Sequence, residues 1–265
     1  MKSLLKRLRL AGWTYRQSLS RPPRLKGAPV SDLFVWRQGA EWETFFELTD
    51  MPGLYAVDDL PEVREVLVKI FDSSGRLFAQ QRIIAASYKR TILNISRLVL
   101  GCSDQIGTFA VFHSHTPKSI RAMGSFLAER GYVSYRYSGA PLRSYVHGNL
   151  DALSLKQDEG LDLLGGTSIR QREYRLQHEL LASMQYQFVI VNSSNRPKKI
   201  IYEIKEVDDA KSQQYFEAFL PPCGCHLFEC IPTHTSMRLV IHSSLIMARP
   251  IVFRLENAKL DVLHG

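Results

Sequence analysis

The sequence lacks several features that would place it in a well-defined class of protein. It has no run of about 18 apolar residues, so no transmembrane helix is expected. The N-terminal region also lacks the apolar core of a secretory signal peptide. Only four cysteines occur, and three of them crowd into residues 223–230, which is not the spacing of a disulfide framework. These absences favour a reducing, cytoplasmic compartment over secretion.

Familiar catalytic motifs are missing as well. The chain contains no nucleophile elbow, Gly-rich phosphate loop, HExxH motif or dinucleotide-binding fingerprint. A function must therefore be sought in side chains that the fold brings together from distant positions. Whether the protein is an enzyme is left open, and a non-catalytic protein is the favoured interpretation.

Acidic residues are absent from the first 31 positions, which hold eight of the 34 basic residues. The other 26 basic residues match the 26 acidic ones, so the formal charge of +8 belongs to the N-terminal segment. Because the rest of the chain is neutral, it lacks the basic platform of a nucleic-acid-binding protein. Nucleic acid is not an expected partner.

Residues 1–30 are predicted to form a basic amphipathic helix followed by a linker. Apolar residues recur every three or four positions, basic residues lie mostly opposite, and Arg21-Pro22-Pro23 ends the helix. Three interpretations fit: docking on an anionic membrane surface, a cleaved organelle transit peptide, or packing on the protein's own body or on a partner. The residues expected to dock on a membrane or partner are Leu4, Leu5, Lys6, Leu8, Arg9, Trp13 and Arg16.

The chain carries one pattern twice. Residues 108–114 and 237–243 are each an apolar run that ends in His-Ser. Residues 133–148 and 251–265 each contain a β-type run, an arginine and a His-Gly pair. Such repetition predicts two similar structural units. Three further pairs of segments extend the match upstream: 82–95 with 218–231, 63–76 with 185–198, and 42–50 with 174–182.

Each copy contains about six or seven short segments with β-type alternation, which is typical of a small β-sandwich. We therefore predict a mainly β protein built from two tandem immunoglobulin-like or small β-sandwich domains. The predicted bounds are residues 31–153 for the first domain, 154–170 for a Gly-containing linker and 171–265 for the second domain.

Three runs of the second half, FVIVNSSNRPKKIIYEI, FLPPCGCHLFEC and LVIHSSLIMARPIVF, resemble the broad immunoglobulin-like pattern found in many bacterial modules. The resemblance implies an architecture only. It carries no functional residue to this chain, since a fold does not determine a function.

The first copy has 11 more residues than the second between its His-Ser pair and its arginine. This insertion, within residues 116–131, has the periodicity of a short helix, and insertions on a repeated scaffold often carry function. Basic side chains flank it and predict a cationic pocket for a phosphate, a carboxylate or a sugar acid. The alternative is that these are scattered, solvated side chains. The candidate pocket residues are His113, His115, Arg121, Arg136, Arg143 and His147.

His113 and His115 also form a candidate metal-binding pair, because residues i and i+2 of a strand point to one face. His147 is the candidate third ligand, and zinc or another divalent ion is the candidate metal. A second candidate is CGCHLFEC, residues 223–230, although its spacing is not that of a zinc knuckle. The alternative for those cysteines is that they are small apolar filler.

Two functional hypotheses follow. The favoured one is a cytoplasmic, non-catalytic binding or scaffolding protein, held at a membrane surface or partner by residues 1–30. It would have an anionic-ligand or carbohydrate site in the first domain. The alternative is a metal-dependent enzyme of unknown substrate that uses the histidine cluster of that domain.

Overall fold

A computed structural model describes residues 27–55, 63–86, 89–129, 131–148, 152–206, 212–233, 237–246 and 249–265. The predicted N-terminal helix, with its docking residues Leu4 to Arg16, lies outside the described residues. The fold is mainly β, with 56% of residues in strands and 6% in helices, and this confirms the predicted fold class at that level. None of the described helices has the length and apolar character needed to cross a membrane.

The N-terminal half, residues 27–163, contains three short helices, α1 (Met51–Tyr55), α2 (Ile95–Leu98) and α3 (Lys118–Ala122), among its described residues. Its described strands are β1 (Pro29–Ser31), β2 (Phe34–Arg37), β3 (Trp42–Leu48), β4 (Glu65–Phe71), β5 (Leu77–Ile84), β6 (Thr91–Asn94), β7 (Ile106–His113), β8 (Leu127–Glu129), β9 (Tyr132–Tyr137), β10 (Ser144–His147), β11 (Leu153–Leu155) and β12 (Leu161–Leu163).

The C-terminal half, residues 167–265, is built from strands over its described part. They are β13 (Thr167–Arg175), β14 (Gln185–Val191), β15 (Lys198–Glu206), β16 (Ser212–Leu220), β17 (Cys225–Cys230), β18 (Met237–Leu245), β19 (Ile251–Glu256) and β20 (Lys259–His264).

These strands form five four-stranded sheets. The N-terminal half contributes sheet A (β12-β11-β1-β8), sheet B (β2-β7-β4-β5) and sheet C (β10-β9-β3-β6). The C-terminal half contributes sheet D (β13-β18-β15-β16) and sheet E (β17-β14-β19-β20). Across the described residues, every strand pair lies within one half, and every pair except the parallel β1–β8 pair is antiparallel.

Two sheets of one half have the same strand order as two sheets of the other. When β2 to β7, β9 and β10 are matched in turn with β13 to β20, sheet B corresponds to sheet D and sheet C corresponds to sheet E. Sheet A has no counterpart among the described residues of the C-terminal half. It is made of three-residue strands that lie outside the repeated order.

The strand order corrects two of the segment pairs expected from the sequence. It matches β3 with β14 and β4 with β15. The sequence comparison instead paired residues 63–76, which hold β4, with residues 185–198, which hold β14. The pairing of 42–50 with 174–182 is displaced in the same way. Alternating apolar strands look alike, so the pattern alone does not distinguish a strand from its neighbour.

The sheets pack face to face, as in a β-sandwich. The inner faces of sheets B and C share one buried cluster, which includes Phe46 and Phe109. The inner faces of sheets D and E share a second cluster, which includes Phe188 and Ile241. Sheet A covers the outer face of sheet B, where Leu153 packs among residues of β4 and β7.

The two halves also share a core. Apolar side chains on the outer face of sheet E, such as Ile251 and Phe253, belong to the cluster between sheets B and C. The Phe253 ring meets the Trp42 ring at a centroid distance of 5.2 Å and the Tyr135 ring at 4.9 Å. A buried polar connection lies beside these rings, because the Arg37 guanidinium donates to Gln187.

Two segments differ from their predicted form. Residues 154–170, expected as a linker, contain β12 and parts of β11 and β13, because leucines at alternate positions pack on sheet B. The insertion at 116–131 contains the expected short helix, α3, but the helix is shorter than its periodicity indicates. Gly124, at φ +64°, ends it by donating its N–H to the Arg121 carbonyl, and β8 follows.

Candidate functional site

The outer face of sheet C brings together aromatic, charged and hydroxyl side chains from three strands. Alternate residues of β3, β9 and β10 point away from the core. Phe45 lies opposite Ser134, and Ser134 lies opposite Tyr145. In the next row, Glu47 lies opposite Tyr132, and Tyr132 lies opposite His147. Side chains that face each other across strands are about 5 Å apart at Cβ, so these groups form one continuous surface.

Two arginines cover the ring at the centre of this face. The guanidinium carbon of Arg143 lies 3.7 Å from the centroid of the Phe45 ring, and that of Arg136 lies 5.7 Å from it. Such cation–π contacts hold a guanidinium in place while its N–H groups stay available to a ligand. Arg136 also forms an ion pair with Glu43, whereas Arg143 makes no ion pair with the described residues.

Two tyrosines extend the surface next to Ser134: Tyr145 lies across from it on β10, and Tyr132 lies two positions before it on β9. The Tyr132 side chain is 53% exposed and that of Tyr145 is 47% exposed. Partly exposed tyrosine rings offer an apolar face and a polar hydroxyl, a combination enriched in binding surfaces. Together with Arg143, the two rings can stack on the C–H faces of a sugar and bind its carboxylate or phosphate substituents.

Three of the six residues predicted from the sequence, Arg136, Arg143 and His147, lie on or at the edge of this face. The sequence missed Phe45, Tyr132 and Tyr145, which are the aromatic part of the surface. The alternation of Tyr132, Ser134 and Arg136 along β9 was the signal that could have found one of them.

His113 lies elsewhere, in a buried pair. Its Nε2 donates to the Glu129 carboxylate at 2.6 Å, and the His113 side chain is only 5% exposed. The pair joins the end of β7 to β8 and so connects sheet B with sheet A. A histidine enclosed in this way stabilises the fold, and an external ligand cannot reach it in the described conformation.

The other two predicted residues flank α3. His115 lies beyond the end of β7, in the connection to α3, and is half-buried. Arg121 is exposed on α3, outside sheet C. Within the described part of the chain, no group of three or more His, Cys, Asp and Glu side chains is arranged to hold a metal ion.

The repeated His-Gly pairs meet in the fold. His147 at the end of β10 and His264 at the end of β20 have ring centroids 4.6 Å apart, and His264 Nε2 donates to the His147 carbonyl at 2.8 Å. Burial lowers the pKa of His264 and the positive charge of Arg249 lowers it further, whereas the hydrogen bond to the His147 carbonyl raises it. The arrangement joins equivalent strand ends of the two halves, which the sequence pattern could not reveal.

The cysteines of the CGCHLFEC segment are buried in apolar surroundings. Burial raises the pKa of the Cys223 thiol to about 11 and that of the Cys230 thiol to about 12. The pKa of Cys225 is raised as well, mainly by burial. Zinc binds the thiolate form, so this environment fits small apolar packing residues rather than ligands.

Comparisons with protein-family models, with curated proteins and with solved structures found no match for this chain.

Proposed function

We propose that the protein is a non-catalytic binding protein of two tandem β-sandwich units, and that the outer face of sheet C binds an acidic carbohydrate. The first part of the proposal is supported by the shared strand order. Sheets B and C match sheets D and E strand for strand, which is the relationship expected of a duplicated immunoglobulin-like or small sandwich unit.

The difference between the copies supports a single binding face. Sheet E corresponds to sheet C, yet its outer face carries Val189, Ile251 and Phe253, which are buried against the N-terminal half. On the outer face of sheet C, Tyr132 and Tyr145 are instead about half exposed, around a buried centre that contains Phe45 and Ser134. One copy thus uses this face as an interface, while the other leaves two aromatic rings within reach of a ligand.

The observation that carries the carbohydrate assignment is the position of Arg143. Its guanidinium stacks on Phe45, makes no ion pair with the described residues, and shares the outer face of sheet C with the half-exposed rings of Tyr132 and Tyr145. An anionic group on a flat, hydroxyl-rich ligand satisfies all three features at once. Glu43 and Glu47 are already engaged by Arg136 and Arg90, so they offer little repulsion.

Calorimetric titration tests this assignment. The probes are hexameric oligogalacturonate and the neutral maltohexaose, and we expect the acidic oligosaccharide to bind more tightly. Replacing a stacking ring, as in Tyr132→Ala or Tyr145→Ala, should weaken binding about tenfold, the effect of roughly 1.4 kcal/mol. Arg143→Gln should weaken oligogalacturonate binding by a similar factor and reduce its dependence on salt.

Tyr215→Ala is the matched control, because Tyr215 is an equally exposed tyrosine on the outer face of sheet D. It should bind like the wild-type protein. Failure of the wild-type protein to bind oligogalacturonate would refute the proposal, and so would an equal loss of affinity in the control and the sheet C variants.

We also propose that the protein is cytoplasmic and that residues 1–30 dock it either at the periphery of an anionic membrane surface or on a partner protein. The support is the acid-free, amphipathic pattern of this segment. Flotation with phosphatidylserine-containing vesicles should recover the full chain but not a chain that begins near Ser31. Equal recovery of both would remove the membrane-docking proposal.

A further inference from the structure

The C-terminal half contains an open recess of about 160 Å³ at one edge of its sandwich. It lies between β13 and β18 and is lined by residues 172–174 of β13 and by Ile241, Ser243, Leu245 and Ile246. None of these residues belongs to the outer face of sheet C, so the recess is separate from the proposed carbohydrate surface.

A large β-bulge opens the recess. Thr167 pairs with Leu245, and the next pair in the ladder is Arg172 with Ser243, so residues 168–171 face a single residue of β18. Ile169, within this bulge, is fully exposed. The Ile246 N–H donates to the Gly166 carbonyl at 2.9 Å and anchors the chain just before the bulge. Bulges of this kind often lie beside functional sites, because they bend a strand and redirect its side chains.

The floor of the recess is apolar. Ile241 and Leu245 belong to the buried cluster between sheets D and E. Arg172 and Tyr174 lie on the same face of β13, opposite Ser243 and Ile241 respectively. The recess is thus an entrance to the edge of the sandwich core, and a ligand body placed there would contact aliphatic side chains on one side and an aromatic ring on another.

The rim carries one cation whose charge is not compensated. Arg172 makes no ion pair with the described residues. Its neighbour Glu173 points to the opposite face, where it accepts a hydrogen bond from Arg175 at 2.5 Å. The Tyr174 hydroxyl donates to the Gly265 carbonyl, which fixes the ring as a wall of the recess. The guanidinium of Arg172 is therefore the polar group of the recess that an anionic ligand could pair with.

We propose that this recess binds a small monocarboxylate whose apolar body is about the size of a benzene ring. The carboxylate pairs with the guanidinium of Arg172, and the body lies on Ile241, Leu245 and Ile246. A cavity of about 150 Å³ lined by aliphatic and aromatic side chains is large enough for benzene, so the volume fits this class of ligand. Guanidinium groups favour carboxylates because they donate two parallel hydrogen bonds.

Titration of the full chain with benzoate, followed by amide chemical shifts, tests the proposal. Saturable shifts should be confined to residues 165–176 and 239–246, with a Kd on the order of 1 mM, as expected for a ligand of this size. Benzamide, the neutral isostere, should bind about tenfold more weakly. Arg172→Gln should remove that preference and leave weak, equal binding of both compounds.

Arg175→Gln is the matched control, since Arg175 lies on the same strand but on the opposite face, and it should bind benzoate like the wild-type protein. Both substitutions are at exposed positions, so the fold should tolerate them. No saturable shift at about 20 mM benzoate, a twentyfold excess over that Kd, would overturn the proposal. Shifts centred outside these segments, or an unchanged benzoate preference in Arg172→Gln, would also overturn it.

Discussion

Phe253→Ala should destabilise the N-terminal half of the molecule, although Phe253 belongs to the C-terminal half. The ring is fully buried and lies in edge-to-face contact with both Trp42 and Tyr135. Removing a buried phenylalanine side chain costs about 3–5 kcal/mol, because apolar burial is lost and a cavity remains. The cost falls on a core that sheets B, C and E share.

Tryptophan fluorescence during urea unfolding measures this coupling. The three tryptophans are Trp13, Trp36 and Trp42, all in the N-terminal part of the chain. With a urea m-value of about 3 kcal/mol/M, a loss of about 4 kcal/mol lowers the midpoint by about 1.3 M. We expect this shift in the tryptophan signal and in far-UV circular dichroism alike.

Phe188→Ala is the control. Phe188 is equally buried, but it packs within the C-terminal half, on Tyr186 and Phe228. Its loss of stability should be similar, whereas only Phe253→Ala should shift the native emission of Trp42. An unmoved tryptophan transition in Phe253→Ala, with a lowered dichroism midpoint, would refute the shared core.

Two further predictions concern the turns and the histidine contact. Gly75 has φ +79°, and a Cβ there would overlap the Pro222 carbonyl oxygen of the other half, so Gly75→Ala should cost about 3 kcal/mol or more. Gly101→Ala, at φ +88° with open space around it, should cost only about 1 kcal/mol, and equal melting temperatures would contradict this contrast. Burial lowers the pKa of His264, so the unfolded chain binds a proton more readily and stability should fall as the pH drops below about 6.5. His264→Gln should flatten the dependence of urea midpoint on pH between about 7.5 and 5.5, and an unchanged slope would count against a neutral, half-buried imidazole.

The mainly β fold could be predicted from the sequence because alternation of apolar and polar residues is a local signal. The strands of sheet A could not, since three residues such as Leu161–Leu163 are too short to show a period. The sequence match between the two halves was displaced by one strand for a related reason. β3 and β4 both read as buried strands with alternating large side chains, and only the hydrogen-bonded ladder distinguishes them.

The residues of the candidate site likewise differ in whether a local sequence signal could reveal them. Arg136, Arg143 and His147 were found because basic side chains stand out in a neutral sequence. Phe45 and Tyr132 were missed, because their role depends on which strands are neighbours. His113, in contrast, was predicted to be a site residue but is buried. Its partner Glu129 lies on a strand of another sheet, so the sequence near His113 could not reveal the contact.

Photo-crosslinking with a diazirine-bearing oligogalacturonate, followed by mass spectrometry, tests most directly whether the open sheet of the first copy is the binding face. We expect adducts in peptides that cover residues 42–48 and 132–147, and we expect unlabelled oligogalacturonate to suppress them. Adducts confined to residues 167–265, or labelling that the unlabelled competitor leaves unchanged, would contradict the account.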